Sequence, residues 1–283
     1  MRRVLCRFFS SNPISSAPEV TLVALDGIDA GISVLTLSRP ASRNALSRSM
    51  LFAFSTAIAT ANERAASRGG DIRALVLTSD VPGVFCAGAD LKERATMNST
   101  EVGAFVRALR TSFTALAALP MPTWAAVEGA ALGGGLELAL CCDARIAGSA
   151  ATLGLPETSL AIVPGAGGTA RLPRLIGAAR AKELIFSARR LCADQAFGFG
   201  IVNAVVAEGG ALSAAIAAAR SVAANGPIAV AAAKAAINAG EGRTMEEAMS
   251  AEERAYATVL PTADRFEGLT AFREKRTPVY KGV

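Results

Sequence analysis

Four short stretches of the chain have the hydrophobic patterning of β-strands. Val20–Leu25 and Ser33–Leu37 alternate or run apolar between turns, which predicts a pair of strands. Ala74–Thr78 and Thr123–Val127 are short apolar runs, as expected for buried strands. A longer pattern with helical spacing covers Ser47 to Ser67, with Ser47 as its N-cap. Short strands alternating with helices indicate an α/β protein.

Helical patterns become more frequent towards the C-terminus. One helix is predicted to open at Asn98-Ser-Thr-Glu, with Ser99 or Thr100 as its N-cap, and to end at Leu119-Pro120. The later helical segments are Ala178–Ser187, Ala211–Ala224, Pro227–Gly240, Thr244–Ala257 and Thr262–Arg276. We therefore divide the chain into a leader (1–18), an α/β core with the active site (19–205) and a C-terminal helical region (206–283).

Composition excludes several classes of protein. The chain has 283 residues, 52% of them hydrophobic, which is enough for one large core or two modest domains. Charged residues interrupt the longest apolar stretches, so no membrane insertion is expected. The chain contains no histidine, which excludes Ser-His-Asp triads, Cys-His dyads and histidine metal sites, and we expect no metal. The five cysteines form no Cys-x-x-Cys pair and are expected to be reduced and mostly buried.

The first 18 residues differ in composition from the rest. They contain three arginines and four serines, and the first acidic residue is Glu19. This composition is typical of a mitochondrial transit peptide, although a disordered basic tail would have it too. Without the segment the net charge falls from +5 to +2, so the charge is weak support for a nucleic-acid partner. We expect the mature protein in the mitochondrial matrix.

Three glycine-containing segments follow predicted strands. They are FCAGADLKE (85–93), GGGLE (133–137) and GLPETSLAIVPGAGGT (154–169). Small residues at strand ends leave backbone N–H groups free, and two such groups can converge on one oxygen as an oxyanion hole. A helix starting at the GGG run would direct its N-terminal amides to the same point. Glu137 and Glu157 could then divide acid and base chemistry, or could simply serve as helix-terminal residues.

The combined motifs resemble the crotonase, or enoyl-CoA hydratase/isomerase, superfamily. The resemblance rests on FCAGADLKE, AALGGGLELALCCD and LPETSLAIVPGAGGTARLPRLIG, and on the outlying SRPASRNAL and AFREKRTPVYKG. It extends from Val20 to the C-terminus and is strongest for the branch of methylglutaconyl-CoA hydratase and the AU-binding protein. It implies a spiral of repeated ββα units and a C-terminal helical region that forms trimers, which usually pair into hexamers.

The same resemblance implies roles for individual residues. The backbone N–H groups of Ala89 and Gly134 match the oxyanion hole, and Gly165 matches a backbone position lining the pocket. Glu137 matches the carboxylate that activates water, and Glu157 the carboxylate that exchanges a proton with the substrate α-carbon. Because both glutamates are present, hydratase activity is favoured over isomerase activity.

The resemblance also implies how coenzyme A is held. The residues that match its binding segments are Ser42, Arg43, Ala89, Asp90, Leu91 and Lys92, with Phe272 and Lys275 reaching a neighbouring subunit's ligand. Lys92 and Lys275 are equally compatible with solvated surface charge. Coenzyme A is part of the acyl thioester substrate, and no separate cofactor is implied.

Alternative functions remain open at this point. Leu155-Pro156 stands where many short-chain hydratases have Gln-Pro, so the acyl chain could come from fatty-acid β-oxidation or from leucine degradation. An enoyl-CoA isomerase is the other enzymatic alternative, and a non-catalytic assembly subunit is disfavoured by the two glutamates. AU-rich RNA binding belongs to a different class, and the segment Ser47 to Ser67 opposes it with Arg48 and Arg64 but no lysine.

Overall fold

The computed structural model describes residues 18–67 and 70–283. Its strands are β1 Val20–Ala24, β2 Ile32–Leu37, β3 Ala74–Ser79, β4 Val84–Cys86, β5 Thr123–Val127, β6 Ala130–Leu132, β7 Ala144–Gly148, β8 Thr152–Gly154, β9 Arg190–Cys192 and β10 Ala204–Val206. Its helices are α1 Arg48–Ala66, α2 Leu91–Arg94, α3 Ser99–Ala117, α4 Gly134–Ala139, α5 Gly168–Ile176, α6 Ala178–Phe186, α7 Ala193–Gly198, α8 Ala211–Ala223, α9 Pro227–Gly240, α10 Met245–Val259 and α11 Ala263–Glu274. Short 3-10 turns cover Gly27–Asp29, Pro40–Ser42 and Glu157–Leu160.

The strands form two sheets. The larger has six strands in the order β1-β2-β3-β5-β7-β10, and the smaller has four in the order β4-β6-β8-β9. Strands β1 and β2 pair at one edge of the larger sheet, as predicted, and their pairing is antiparallel, whereas the other pairs of this sheet are parallel. In the smaller sheet, β8 and β9 are antiparallel and the other two pairs are parallel.

Consecutive strands contribute to different sheets, and this repeats along the chain. Strands β3, β5 and β7 enter the larger sheet, and each is followed by a strand of the smaller sheet, β4, β6 or β8. Helical structure follows each strand pair. The arrangement confirms the predicted α/β class and the repeated ββα unit. It also brings the chain segments that follow β4, β6 and β8 together, because those three strands are neighbours.

Helix α8 covers part of the larger sheet through a stripe of alanines. The buried residues of the stripe recur every four positions, at Ala211, Ala215, Ala219 and Ala223. They pack with Ile32, Ala74, Val76, Ala126 and Ile146 in a core cluster separate from the main one. Small side chains on one helical face allow the helix to lie close to the sheet, which explains the alanine-rich composition of this segment.

The predicted helix starts can be checked against the capping residues. Ser47 is the N-cap of α1, and its side chain accepts a hydrogen bond from the Met50 backbone N–H, as expected. The prediction for α3 was wrong by one residue, because the N-cap is Asn98 and not Ser99 or Thr100. Asn98 and Glu101 exchange side chain to backbone hydrogen bonds at 3.0 and 2.9 Å, which satisfies two helix-terminal donors at once.

The described residues bear only in part on the predicted leader and on the predicted boundary at residue 205. Residues 1–17 of the predicted leader lie outside them. The predicted boundary at residue 205 falls inside β10, and α9 and α10 beyond it pack mainly on each other. No single helix among the described residues has the length and apolarity to cross a bilayer, although α8 and α9 together, bent by 107°, pass that test by length and composition.

Candidate active site

The loop after β4 presents the backbone N–H of Ala89. Leu46 donates its N–H to the Gly88 carbonyl oxygen at 2.8 Å and accepts one from Asp90 at 3.0 Å. These two bonds bracket Ala89 in a parallel bridge, which turns the N–H of Ala89 away from the Leu46 segment. Among the described residues, no acceptor lies within hydrogen-bonding distance of this N–H.

The three consecutive glycines each meet a different requirement. Gly133 has φ of +53°, which disfavours any side chain, and it precedes the first residue of α4. A Cβ on Gly134 would lie 3.7 Å from the Ala89 nitrogen, which shows how close the two loops come. A Cβ on Gly135 would collide with the carbonyl oxygen of Cys86, so α4 packs directly against the backbone of β4.

The N–H of Gly134 is also without an acceptor among the described residues. It belongs to the first residue of α4, whose leading N–H groups have no partner inside the helix. The Gly134 and Ala89 N–H groups therefore form a pair of free donors from two adjacent loops. Two free donors on neighbouring loops are what the binding of a single oxygen atom by an oxyanion hole requires.

Glu137 is buried, with 3% of its surface exposed, on α4. Its Oε1 accepts the backbone N–H of Ala166 at 2.8 Å and that of Gly168 at 2.7 Å. Burial raises the pKa of this carboxyl, whereas the two N–H groups and the positive charge of Arg171 oppose the rise. Glu137 is therefore more than a helix-terminal acid, since a separate turn holds it in place.

Glu157 occupies a different environment in the 3-10 turn that follows Leu155-Pro156. Its Oε1 would be 3.0 Å from a Cβ on Gly133, so the carboxyl lies against the glycine run. Its Oε2 is buried without a hydrogen-bond partner among the described residues. Burial raises the pKa of Glu157 to about 7 and the charge of Glu137 adds to the rise, whereas its own backbone N–H and the charge of Arg94 oppose it.

The two carboxyl groups are therefore close neighbours with unequal surroundings. Glu137 receives two hydrogen bonds that favour its ionised form, whereas an oxygen of Glu157 receives none. Such pairs are typical of sites in which one carboxyl acts as base and the other as acid near neutral pH.

Two residues that the sequence analysis did not single out, Arg39 and Asn44, join the segment before α1 to β4 and the loop that follows it. Arg39 donates from Nη1 to Asp90 Oδ2 at 2.8 Å and also pairs with Glu19 at 2.9 Å. Asn44 is fully buried and donates from Nδ2 to the Phe85 carbonyl oxygen at 3.0 Å. The quoted motif SRPASRNAL contains both residues, but their partners lie tens of residues away in sequence.

The predicted coenzyme A residues fall into two groups. Asp90 uses its side chain to pair with Arg39 and to cap α2, while Leu91 and Lys92 are exposed on α2. Arg43 is exposed with φ of +55°, and the Ser42 hydroxyl is buried without a partner among the described residues. All of these lie in the two loops joined by Arg39.

The other predicted residues lie on different elements. The carbonyl oxygen of Gly165 accepts a hydrogen bond from Arg110 on α3, and a Cβ there would be 3.1 Å from Val106. Phe272 is 87% exposed on α11, and Lys275 follows the same helix with φ of +56°. Within the described part of the chain, no hydrogen bond connects Phe272 or Lys275 with the two glutamates.

The cysteines contribute packing at this site. Among the described residues, Cys86, Cys141 and Cys142 are buried and Cys192 is exposed, in line with the expectation of mostly buried, reduced cysteines. Burial raises the pKa of Cys86 and of Cys141 to about 12, so both are neutral thiols near pH 7. In residues 18–67 and 70–283, no three His, Cys, Asp or Glu side chains come together in a way that could hold a metal ion.

Comparison with known proteins identifies the family of the chain. A family model described as enoyl-CoA hydratase/isomerase matches residues 27–283. The chain is 49% identical over 269 residues to the probable enoyl-CoA hydratase 2, mitochondrial, of Arabidopsis thaliana, covering 95% of this chain and 88% of that protein. It is 46% identical over 276 residues to the mitochondrial methylglutaconyl-CoA hydratase of Mus musculus, covering 96% and 86%.

One solved structure is similar over nearly the whole chain. The crystal structure of an enoyl-CoA hydratase from Bacillus anthracis superposes with a TM-score of 0.89 at 44% sequence identity, covering 94% of this chain and all of that one.

Proposed function

This chain belongs to the enoyl-CoA hydratase/isomerase family, and we propose that it is a hydratase that adds water across the 2,3-double bond of a 2-enoyl-CoA thioester. The observation that carries the proposal is the pair of unequally held carboxyl groups, Glu137 and Glu157, beside two free backbone donors. Hydration needs one group that takes a proton from water and another that gives a proton to carbon, and this site supplies both.

In the proposed reaction, the N–H groups of Ala89 and Gly134 donate to the thioester oxygen. Negative charge grows on that oxygen as water adds at C3, so the two donors bind the transition state more tightly than the ground state. Loss of one such donor typically costs about 3–4 kcal/mol of barrier. Gly165 lines the same pocket through its backbone.

The environments of the carboxyl groups suggest their roles. Glu137 takes a proton from water, because two N–H groups hold its ionised form in place. Glu157 delivers a proton to C2, because its pKa of about 7 leaves a large fraction protonated at neutral pH. The reaction transfers no electrons, and we propose no cofactor other than the coenzyme A of the substrate.

For coenzyme A, we propose the two loops joined by Arg39. Ser42 and Arg43 lie on one, and Ala89, Asp90, Leu91 and Lys92 on the other. Asp90 acts through its backbone and through its pairing with Arg39, since its carboxylate is already engaged.

Phe272 and Lys275 contribute only if a neighbouring subunit brings them to the ligand, so we propose a homo-oligomer, a trimer or a pair of trimers. The exposed apolar side chains of α10 and α11 agree with this; they are Met245, Met249, Tyr256, Phe266, Leu269 and Phe272. In this arrangement residues 19–205 carry the active site, and residues 206–283 hold the subunits together.

A second candidate substrate is an enoyl thioester whose acyl group ends in a carboxylate, such as 3-methylglutaconyl-CoA. The observation that favours it is Arg94 at the end of α2, which is half-buried and close enough to lower the pKa of Glu157. Among the described residues Arg94 has no acidic partner within salt-bridge distance. Because Arg94 lies near Glu157 and its charge is unpaired in the described part of the chain, it would attract a carboxylate on the acyl group.

The test of the hydratase proposal follows the loss of enoyl-thioester absorbance with crotonyl-CoA and with 3-methylglutaconyl-CoA. Glu137→Gln and Glu157→Gln should each lower kcat by at least about 100-fold with the fold intact. Near-normal turnover in either variant would refute the acid–base assignment, and isomerised product without hydration would favour the isomerase.

The second candidate is tested with Arg94→Gln. The variant should raise KM for the carboxylate-bearing thioester by about tenfold and leave KM for crotonyl-CoA unchanged. Lys182→Gln, which removes an exposed positive charge from α6 outside the proposed site, is the control and should leave both KM values unchanged. Equal effects of Arg94→Gln on both substrates would argue against a role in substrate selection.

We propose the mitochondrial matrix as the location, in line with the names of the two relatives, and residues 1–18 as the transit peptide.

RNA binding is not favoured. Arg48 and Arg64 of α1 pair with Glu101 and Asp71, so this helix offers little uncompensated positive charge. A steep salt dependence of RNA affinity would contradict this view.

A further inference from the structure

Arg171 in the first turn of α5 folds back onto the residues that precede its own helix. A Cβ on Gly167 would collide with the Nη1 atom of Arg171, so the guanidinium occupies the space that a side chain at 167 would need. Gly167 has φ of +123°, and Arg171 Nη1 donates a long hydrogen bond of 3.4 Å to the Ala166 carbonyl oxygen. The guanidinium therefore covers the turn 166–168 from one side.

This turn is the one that holds Glu137. The N–H groups of Ala166 and Gly168 both donate to Oε1 of that carboxylate. Any rotation of the peptide groups on either side of Gly167 would misdirect one donor. A side chain that fills the space over Gly167 limits such rotation.

The charge of Arg171 also faces Glu137. The other ionisable groups that interact with the Glu137 charge are Glu157 in the 3-10 turn and Cys141 just after α4, and this thiol is neutral near pH 7. Arg171 has no carboxylate within salt-bridge distance among the described residues, so its charge is not neutralised by a closer acid. It is therefore the cation that opposes the effect of burial on Glu137.

We propose that Arg171 is a positioning residue for Glu137, which braces the turn that holds the carboxylate and supplies the positive charge that keeps it ionised. The inference deepens the proposed hydratase function and rests on it. Arg171 acts through Glu137 and is not itself a group that touches the substrate.

Arg174, one turn further along α5, provides a matched control. Arg171 and Arg174 both line a cavity of 1090 Å³ between α5 and α9. The contacts of Arg174 are different, since it donates to the Ala170 carbonyl oxygen at 2.7 Å and approaches Glu241 at 3.9 Å. A loss of charge at 174 should therefore leave Glu137 unaffected.

The first test is the pH profile of kcat/KM for the wild type, Arg171→Gln, Arg171→Lys and Arg174→Gln. Without Arg171 the ionised form of Glu137 is less favoured, so its pKa rises and activity is lost mainly on the acidic side. We expect Arg171→Gln to lose about tenfold at pH 6 and less than about threefold at pH 8.5. Arg171→Lys should recover most of the loss at pH 6, and Arg174→Gln should follow the wild type.

A uniform loss across the pH range in Arg171→Gln, not recovered by lysine, would overturn the proposal and leave a purely structural role. The same conclusion would follow if Arg174→Gln gave an equal shift.

A second measurement does not depend on activity. The carboxyl resonance of Glu137 can be titrated by NMR in protein labelled at the glutamate δ-carbon, and assigned by its absence in Glu137→Gln. We expect a higher titration midpoint in Arg171→Gln than in the wild type, and an unchanged one in Arg174→Gln. An unchanged midpoint in Arg171→Gln would refute the inference. A raised midpoint in a protein that hydrates no enoyl thioester would refute the proposed function alone.

Discussion

Replacing Glu157 with glutamine is expected to stabilise the protein above neutral pH while it abolishes hydration. The Glu157 carboxyl lies against Gly133, and one of its oxygens is buried without a hydrogen-bond partner among the described residues. The ionised form is therefore costly in the folded state, as its pKa near 7 shows. Glutamine has nearly the same shape but carries no charge.

The size of this stabilisation follows from the difference between the pKa values of Glu157 in the folded and the unfolded state. A rise from 4.5 to about 7 corresponds to roughly 3 kcal/mol, and the discount for solvent screening at this half-buried site leaves about 2 kcal/mol. Between these two pH values the folded state binds more protons than the unfolded state, so the stability of the wild type falls as pH rises. The penalty is complete above about pH 7 and nearly absent below about pH 4.5.

The assay is urea unfolding at pH 8 and at pH 4.5, followed by the fluorescence of Trp124, the single tryptophan of the chain. Protein concentration is held constant, because an oligomer is stabilised by association. Glu157→Gln should unfold with a free energy about 2 kcal/mol above that of the wild type at pH 8, and within about 0.5 kcal/mol of it at pH 4.5.

Glu183→Gln is the matched control. Glu183 is exposed on α6 and pairs with Arg189 at the surface, so this variant should differ from the wild type by less than about 0.5 kcal/mol at both pH values. A difference between Glu157→Gln and the wild type that does not change with pH would refute the reasoning.

The remaining predictions concern the glycine run, the loop pairing and a helix cap. Gly134→Ala should lower kcat/KM by about 10- to 100-fold with little loss of stability, because the new Cβ meets the flexible end of a leucine side chain beside the oxyanion donors. Gly135→Ala should instead destabilise the fold by about 3 kcal/mol in urea unfolding, because its Cβ collides with strand backbone. Arg39→Gln should raise KM several-fold and preserve kcat, because it breaks the Arg39–Asp90 pair between the two loops proposed to bind coenzyme A; an unchanged KM would show that the pair does not contribute to substrate binding. Asn98→Ala should cost about 1 kcal/mol by thermal unfolding without any change in kcat/KM, because only a helix cap is lost.

Elements whose cause is local were predictable from the sequence. The start of α1 at its Ser47 cap and the start of α4 at the glycine run depend on residues within a few positions of each other, and β1 pairs with β2, the next strand along the chain. The cap of α3 was missed although its signal is local. Asn98 is followed three residues later by Glu101, which is the capping-box spacing, whereas Ser99 and Thr100 have no acid or amide at that distance.

The candidate site was also predictable only in part from the sequence. Its glycines and its two glutamates were recognisable as residue types in a characteristic order. The tertiary structure alone decides that Glu137 is held by the turn at 166–168, that an oxygen of Glu157 has no partner among the described residues, and that Arg39 joins the loop before α1 to the loop after β4. The reason is physical. The pKa of a carboxyl depends on desolvation and on hydrogen bonds from groups 20 to 50 residues away in sequence, and those distances exist only after the strands β4, β6 and β8 have come together.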